Sequence, residues 1–462
     1  MLALESFGSA ERAAAAAAPA INCAASESST AQFPPVPNTI DGTCAVIPLD
    51  MNGTPLQGNA DLYAWLTFLA VNWPVNAATC SANPQASILT APPNPTWLSF
   101  LASEAVFVAK GSPPNWCYAP AKAPAAAQGA YFASAAAALS AQRAGRLATL
   151  PPKVRTLAEQ HPEVHMFLHN NSKAQDLISS ARLTAAHASP GLKGILEATG
   201  DPLTDQNGRF ARYTVNLGQD EYNYIMQKSL WKKSGQQATG DLSFPFSGMS
   251  SPKELGAMEF KAAWKVLGAN DVSSHFFTTQ AIVYNDENGS PSPGKNPVTV
   301  GLVGLHVTHK TKKQLKWLWA TFEQVENDTK SFYNPKCPAS QCPPNVETAK
   351  GPPYVELDPV TGKPLNKPVQ VVPFSPATSP SLNAQFQALL KNTPWAYYKL
   401  VSTQWVGNLG TAPKPELLGN SVLETFVAQT KPYSCLNCHQ DFAHDHPGGF
   451  KADFSFAINA KQ

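Results

Sequence analysis

The feature that most constrains this chain is Cys435-Leu436-Asn437-Cys438-His439, placed 23 residues before the last of 462. Two cysteines three apart, with histidine directly after the second, are what covalent attachment of haem c requires. The thiols add to the two vinyl groups, and the histidine takes the proximal position on the iron. Two other chemistries use a C-x-x-C pair. A redox-active dithiol opens a helix after a strand inside a βαβ unit, and a structural zinc site draws on a second ligand pair. The spacing therefore predicts haem c on Cys435 and Cys438, with His439 as proximal iron ligand.

Where the motif falls narrows the architecture. In the small class I cytochrome fold it lies near the start of the domain and an axial methionine follows, whereas no methionine follows His439 here. Class II cytochromes carry the motif near the C-terminus of a four-helix bundle, which does not suit the strand-rich sequence upstream. The expectation is an α+β fold: a central, mainly antiparallel sheet with surrounding helices and long Pro-rich loops, and the haem brought against it by the C-terminal segment.

Composition agrees with that size. Hydrophobic residues make up 43% and charged residues 14%, enough for a substantial core, and 42 prolines with 28 glycines point to long irregular connections. A net charge of +2 gives no electrostatic case for nucleic acid or an anionic membrane surface. Six cysteines lie outside the motif, an even number that suits disulfides in an oxidising compartment. Cys337–Cys342, within PKCPASQCPP, is the safest pair; Cys23–Cys44 and Cys80–Cys117 follow by order. Haem c is attached outside the bacterial cytoplasm, so a periplasmic or secreted protein is expected, although MLALESFGSAER and the alanine run after it make a poor signal peptide. No apolar run is long enough for a transmembrane span.

Residues 1–58 read as a flexible Ala/Ser/Pro-rich lead and 59–462 as one large haem-c-binding domain. Asp61 is the expected N-cap of a helix over 62–71, and a second helix is expected from Asn94-Pro95-Thr96 to about Ala105. His161, His165 and His169 recur at helical spacing, a weak metal pattern more simply read as a polar face. From residue 210 the period changes to two. Strands are expected over 212–217, 258–266 and 397–405, with a hairpin of 276–284 and 298–309, and helices over 220–232, 312–325 and 421–429.

The alternation of Met258 to Val266 puts Glu259, Lys261 and Lys265 on one side, where a solvated strand edge is the ordinary reading. In VGLVGLHVTHK, His306 and Thr308 share one side and His309 the other, with Gly301 and Gly304 permitting close approach of a flat group or of another backbone. His306 is the first candidate for a distal iron ligand or hydrogen-bonding residue. His444 and His446 follow His439 closely, and Met226 and Met258 lie in apolar stripes that suit core filling. Tryptophans 264, 317, 319 and 405 read as core.

The blocks YAWLTFLAVNWP (63–74), EFKAAWKVL (259–267), VGLVGLHVTHKT (300–311), WLWATFEQVEND (317–328) and NSVLETF…SCLNCH (420–439) resemble, in that order, a bacterial family of large monohaem proteins catalogued as cytochrome c family proteins. The resemblance implies covalent haem at Cys435, Cys438 and His439, and it marks His306, Glu259, Lys261 and Glu323 as positions within the recurrent motifs. The position of Met258 is usually aliphatic in that pattern, which weakens a methionine ligand. No reaction comes with it.

Three functions are open at this point. One is electron transfer with a redox partner protein or a small-molecule oxidant or reductant. Another is a haem enzyme of peroxidase or oxygenase type, using His306 with Glu259 or Lys261 at an open distal face. The last is a haem-based sensor.

Overall fold

The computed structural model describes residues 20–107, 143–168, 203–327, 379–424, 434–440 and 450–459, less short breaks inside those ranges, together with 113, 116 and 332. Cys117, His169, Cys337, Cys342, His444, His446 and residues 425–429 lie outside the described residues.

The architecture is α+β, built on a ten-stranded, mostly antiparallel sheet. Its strands are β1 (Leu101–Ala102), β2 (Met166–Leu168), β3 (Arg212–Leu217), β4 (Met258–Val266), β5 (Thr278–Asn285), β6 (Ser290–Pro291), β7 (Val298–His309), β8 (Leu318–Gln324), β9 (Tyr398–Val406) and β10 (Pro413–Lys414). The order across the sheet is β10-β9-β8-β7-β4-β3-β1, while β5 pairs with the first residues of β7 and carries β2 and β6. Only β2 and β5 run parallel. The helices that matter here are α1 (Gln57–Val71), α2 (Pro152–Gln160), α3 (Gln219–Gln227), α4 (Ser379–Leu389) and α5 (Cys435–His439).

Strand parity divides the sheet into two covered faces. Met258, Phe260, Ala262 and Trp264 of β4 join Leu305 and Val307 of β7 and Phe322 of β8 under α1 and α4. There Trp65 stacks on Phe386 at 4.9 Å and Phe68 meets Phe322 at 4.4 Å. The opposite face carries Val215, Leu217 and Trp319, covered by α3, Phe244 and the C-terminal segment with Leu436, Phe450 and Phe454. Tyr213, Ala263 and Val303 continue this second face beneath Val422 and Leu423. The register shifts once between Ala263 and Trp264, where Val303 is the extra residue on β7, so parity changes along β7 without exposing either side.

Several expectations change. The 312–325 segment is not a helix: two tight turns lead to Trp317, at φ 65°, and β8 follows. Trp317, Trp319 and Thr321 fall on every second residue, and pairing with β7 on one edge and β9 on the other decides the outcome. The second expected helix breaks into a 3-10 turn at Thr96–Ser99, strand β1 and a short turn of helix at Ser103–Val106. Helix α1 begins at Gln57, so Asp61 is no cap. It is fully buried, and its Oδ1 accepts from Gln57 Nε2 at 2.9 Å and from the Thr403 backbone N–H at 3.0 Å.

The described members of the histidine series, His161 and His165, do not share a helix. Pro162 disfavours helical backbone at His161, α2 ends at Gln160, and Met166 opens β2. His161 Nδ1 meets Glu163 Oε1 at 3.1 Å. Residues 20–58 are packed against the body, with Cys23 and Cys44 joined and buried beside α1. Cys80 is also disulfide-bonded. Among the described residues no helix is long and apolar enough to cross a membrane.

Candidate haem-attachment site

Helix α5 is a single turn that the fold builds from outside. Ser434 caps it, its side chain accepting from the Asn437 N–H at 3.3 Å. The Leu436 N–H donates to Gln404 Oε1 at 2.7 Å, and Gln404 Nε2 donates onward to the Pro415 carbonyl at 2.7 Å. Leu436 is buried while Cys435, Cys438 and His439 are half-buried, so the motif stands at the rim of the second sheet face.

His439 is held on three sides. Its ring lies 4.3 Å from Trp319 and 4.5 Å from Phe456, tilted 54° and 63° to them. Its Nδ1 lies 2.7 Å from the Phe454 carbonyl. A carbonyl can only accept, so the proton sits on Nδ1 and the lone pair is placed on Nε2, the tautomer a metal-binding imidazole needs. Asp453 and Phe454, at φ 50° and 69°, turn the chain to aim that carbonyl. The turn is tied down on both sides. Asp453 accepts from the Phe244 N–H at 2.7 Å and from Lys310 Nζ, and Ser455 Oγ donates to Glu259 Oε1.

Glu259 thus appears beside the motif, but bonded to the turn that orients His439. It does not sit on a solvated strand edge, because β4 runs through the middle of the sheet with both faces covered. Lys265 is likewise buried, paired with Asp271 at 2.6 Å.

His306 and Lys261 stand opposite each other in register on neighbouring strands and converge on Glu424. His306 Nε2 is 3.2 Å from Glu424 Oε2 and Lys261 Nζ is 3.8 Å from Oε1. Burial works to raise the Glu424 carboxyl. The charge and hydrogen bond of His306, the charge of Lys261 and the Asn420 N–H outweigh it and hold the group below the ordinary carboxylate range. Glu323 lies deeper and accepts from the Ser421 N–H at 2.6 Å, bracing the turn that carries Glu424.

Cys435 feels this group. Burial pushes its thiol well above the usual value, with the charges of Glu424 and Cys438 acting in the same direction and Lys261 against them. Cys435 and Cys438 are not joined to each other. No three His, Cys, Asp or Glu side chains converge as a metal-ligand set among the described residues. Among the described residues the motif brings together two unjoined thiols and an imidazole that carries its proton on Nδ1.

The glycines do not bare the sheet to a flat ligand. A Cβ on Gly304 would come within 2.6 Å of Val422 Cγ2, and one on Gly301 within 2.9 Å of Leu267 Cδ2. Protein occupies both approaches. Met258 points into the other face and is shut off from the motif by the sheet. Met226 is partly buried on the motif's side. Sequence reasoning missed Glu424, Gln404, Phe456 and the Asp453–Ser455 turn, and read Trp319 as core alone. Strand parity on β8 carries a signal for Trp319, since it puts that residue on the side of His306.

The chain matches no protein-family model, no curated protein and no solved structure.

Proposed function

We propose that this chain is an exported monohaem c protein acting in electron transfer, with haem bound through Cys435 and Cys438 and His439 as proximal ligand. The observation that carries the reading is the His439 ring, clamped by Trp319 and Phe456 with its Nδ1 proton committed to the Phe454 carbonyl. Bound there, haem supplies a one-electron couple at its iron. The protein's own part is to orient the imidazole, to raise the basicity of Nε2 through the Nδ1–H bond, and to keep water from the ring with two aromatic walls. The Cys23–Cys44 disulfide supports an oxidising compartment, and the partner is a redox protein or a small-molecule oxidant or reductant.

A second reading, a peroxidase- or oxygenase-type enzyme, is favoured by His306, Glu424 and Lys261, which put a proton carrier beside an anionic carboxylate on the motif's side of the sheet. In that reading Glu424 takes the acid/base role first considered for Glu259.

Purified protein separates the two. Electron transfer requires low-spin spectra in both oxidation states, unmoved by CO or cyanide. High-spin iron consuming peroxide, lost in His306→Ala, establishes the enzyme. Replacing both Cys435 and Cys438 by Ala should abolish the mass increment of one covalent haem. Haem still attached in that variant, or a wild-type mass without haem after expression with a haem c maturation system, defeats both readings.

A further inference from the structure

Two strands reach the turn behind His439 from the same end of the sheet. Glu259 stands opposite Thr308 in the β4–β7 register, and Lys310 is the first residue after β7. Both are buried, Glu259 bonding to Ser455 and Lys310 to Asp453, one on each side of the carbonyl at Phe454. That carbonyl is the one that meets His439 Nδ1.

Each anchor has a fixed direction. Ser455 Oγ accepts from the Ala457 N–H at 3.0 Å, so its single proton is left for Glu259. Lys310 is pinned through its backbone. Its N–H donates to the Ala257 carbonyl at 2.9 Å, and its own carbonyl accepts from the Ser247 N–H at 3.1 Å.

Stability alone is a poor account of this arrangement. Asp453 and Phe454 both occupy left-handed backbone, which glycine enters freely and bulky side chains rarely do. A buried ion pair is a weak stabilising device, since desolvating two charges offsets most of their attraction. The strained turn and its two anchors converge instead on one carbonyl. That carbonyl decides which ring nitrogen of His439 keeps the proton.

We propose that Glu259 and Lys310 are positioning residues for His439. Acting through Ser455 and Asp453, they aim the Phe454 carbonyl and so fix the Nδ1–H tautomer of the imidazole before haem is attached. The opposite tautomer, with its proton on Nε2, has no lone pair there to offer a metal. The consequence at the iron rests on His439 being the proximal ligand; the tautomer itself does not. A carbonyl held in line with Nδ1–H strengthens Nε2 as a donor, which favours ferric over ferrous iron. Loosening the turn therefore raises the reduction potential.

The test compares the full chain before and after haem attachment. In the haem-free chain, ¹⁵N NMR of the His439 ring, assigned by the signals missing in His439→Gln, reads the tautomer directly. Wild type should show the Nδ1–H form. Glu259→Ala and Lys310→Met should show the Nε2–H form beside it, and Glu259→Gln and Lys310→Arg, which keep the acceptor and the charge, should restore the wild-type pattern. With haem attached, the two disruptive variants should shift the ferric–ferrous equilibrium roughly tenfold toward ferrous, about 59 mV for one electron. Ser455→Ala removes the same bond with a smaller change and carries the test if Glu259→Ala does not fold. Variants that unfold more easily while the tautomer stays on Nδ1 overturn the proposal, because the turn is then structural only. So does a wild-type His439 protonated on Nε2, or an unmoved potential in a haem-loaded variant whose haem-free form has lost the tautomer. A chain that takes up no haem yet shows the tautomer changes supports the positioning role and defeats only the haem reading.

Discussion

His306 and His309 sit three residues apart on one strand and meet opposite surroundings. His306 faces Glu424 and Lys261 on the motif's side. His309 points to the other face, where its Nδ1 accepts from Tyr63 and its Nε2–H donates to the Leu255 carbonyl. Burial pushes its pKa down to about 4, so it is neutral in the folded protein. The unfolded chain, with an ordinary histidine near 6.5, binds the extra proton between those values. This contribution is therefore complete above about pH 6.5 and is lost as pH falls toward 4, amounting to about 3 kcal/mol. Other buried groups act in the opposite sense: Glu27 and Asp205 are raised to about 7 and about 6, and bind protons more tightly when folded. The readable quantity is a difference. His309→Gln keeps an acceptor and a donor without a titrating charge, so the stability gap between wild type and variant should narrow by about 3 kcal/mol from pH 7 to pH 4 in urea unfolding. A gap that does not change with pH would mean His309 is not buried neutral. Parity alone was enough to separate the two histidines in the sequence. The partners were not readable, since Tyr63 lies 246 residues earlier and Glu424 stands in a turn that no period announces.

Among elements, the strands were legible wherever one side alternates with the other, as in β3, β4 and β7. They were misread in β8, where Trp317, Leu318 and Phe322 also fit helical spacing and only the neighbouring strands settle the matter. The turn at 420–424 was invisible for a related reason: its support is all tertiary. Asn420 Nδ2 donates to Thr321 Oγ1 at 2.8 Å and to the Phe322 carbonyl at 3.0 Å, while Val422 packs over Gly304. This makes Gly304 the most sensitive point between the sheet and Glu424. Gly304→Ala should cost about 1–3 kcal/mol by forcing Val422 off the strand, and adding Val422→Ala should recover part of that loss. Denaturant midpoints of the single and double variants decide it. Simple additivity of the two losses would show that they do not oppose each other across this contact.

For the molecule as a whole, the sheet separates two sides. Helix α1, buried along its length from Asn59 to Val71, lies on one side with the lead segment and its disulfide. The motif, Trp319 and the 450–459 segment lie on the other. The amphipathic spacing in the sequence announced α1, but its burial on all sides could not be read, because the cover comes from residues expected to be flexible. The Cys23–Cys44 link closes a loop of 21 residues at a Cα separation of 5.0 Å. Met51 from the same segment packs with Leu318 and Trp405 on strands β8 and β9. Replacing both cysteines by Ala should therefore lower global stability by about 3 kcal/mol, mainly by freeing the unfolded chain. The altered segment touches the helix-covered side, so the coordination of haem carried by Cys435 and Cys438 should not respond. Unfolding midpoints falling while the visible spectrum and reduction potential hold steady would mark the two sides as separable. A changed spectrum in the folded double variant would mean that the sheet transmits the loss to His439, and the two sides would then have to be treated as one mechanical unit.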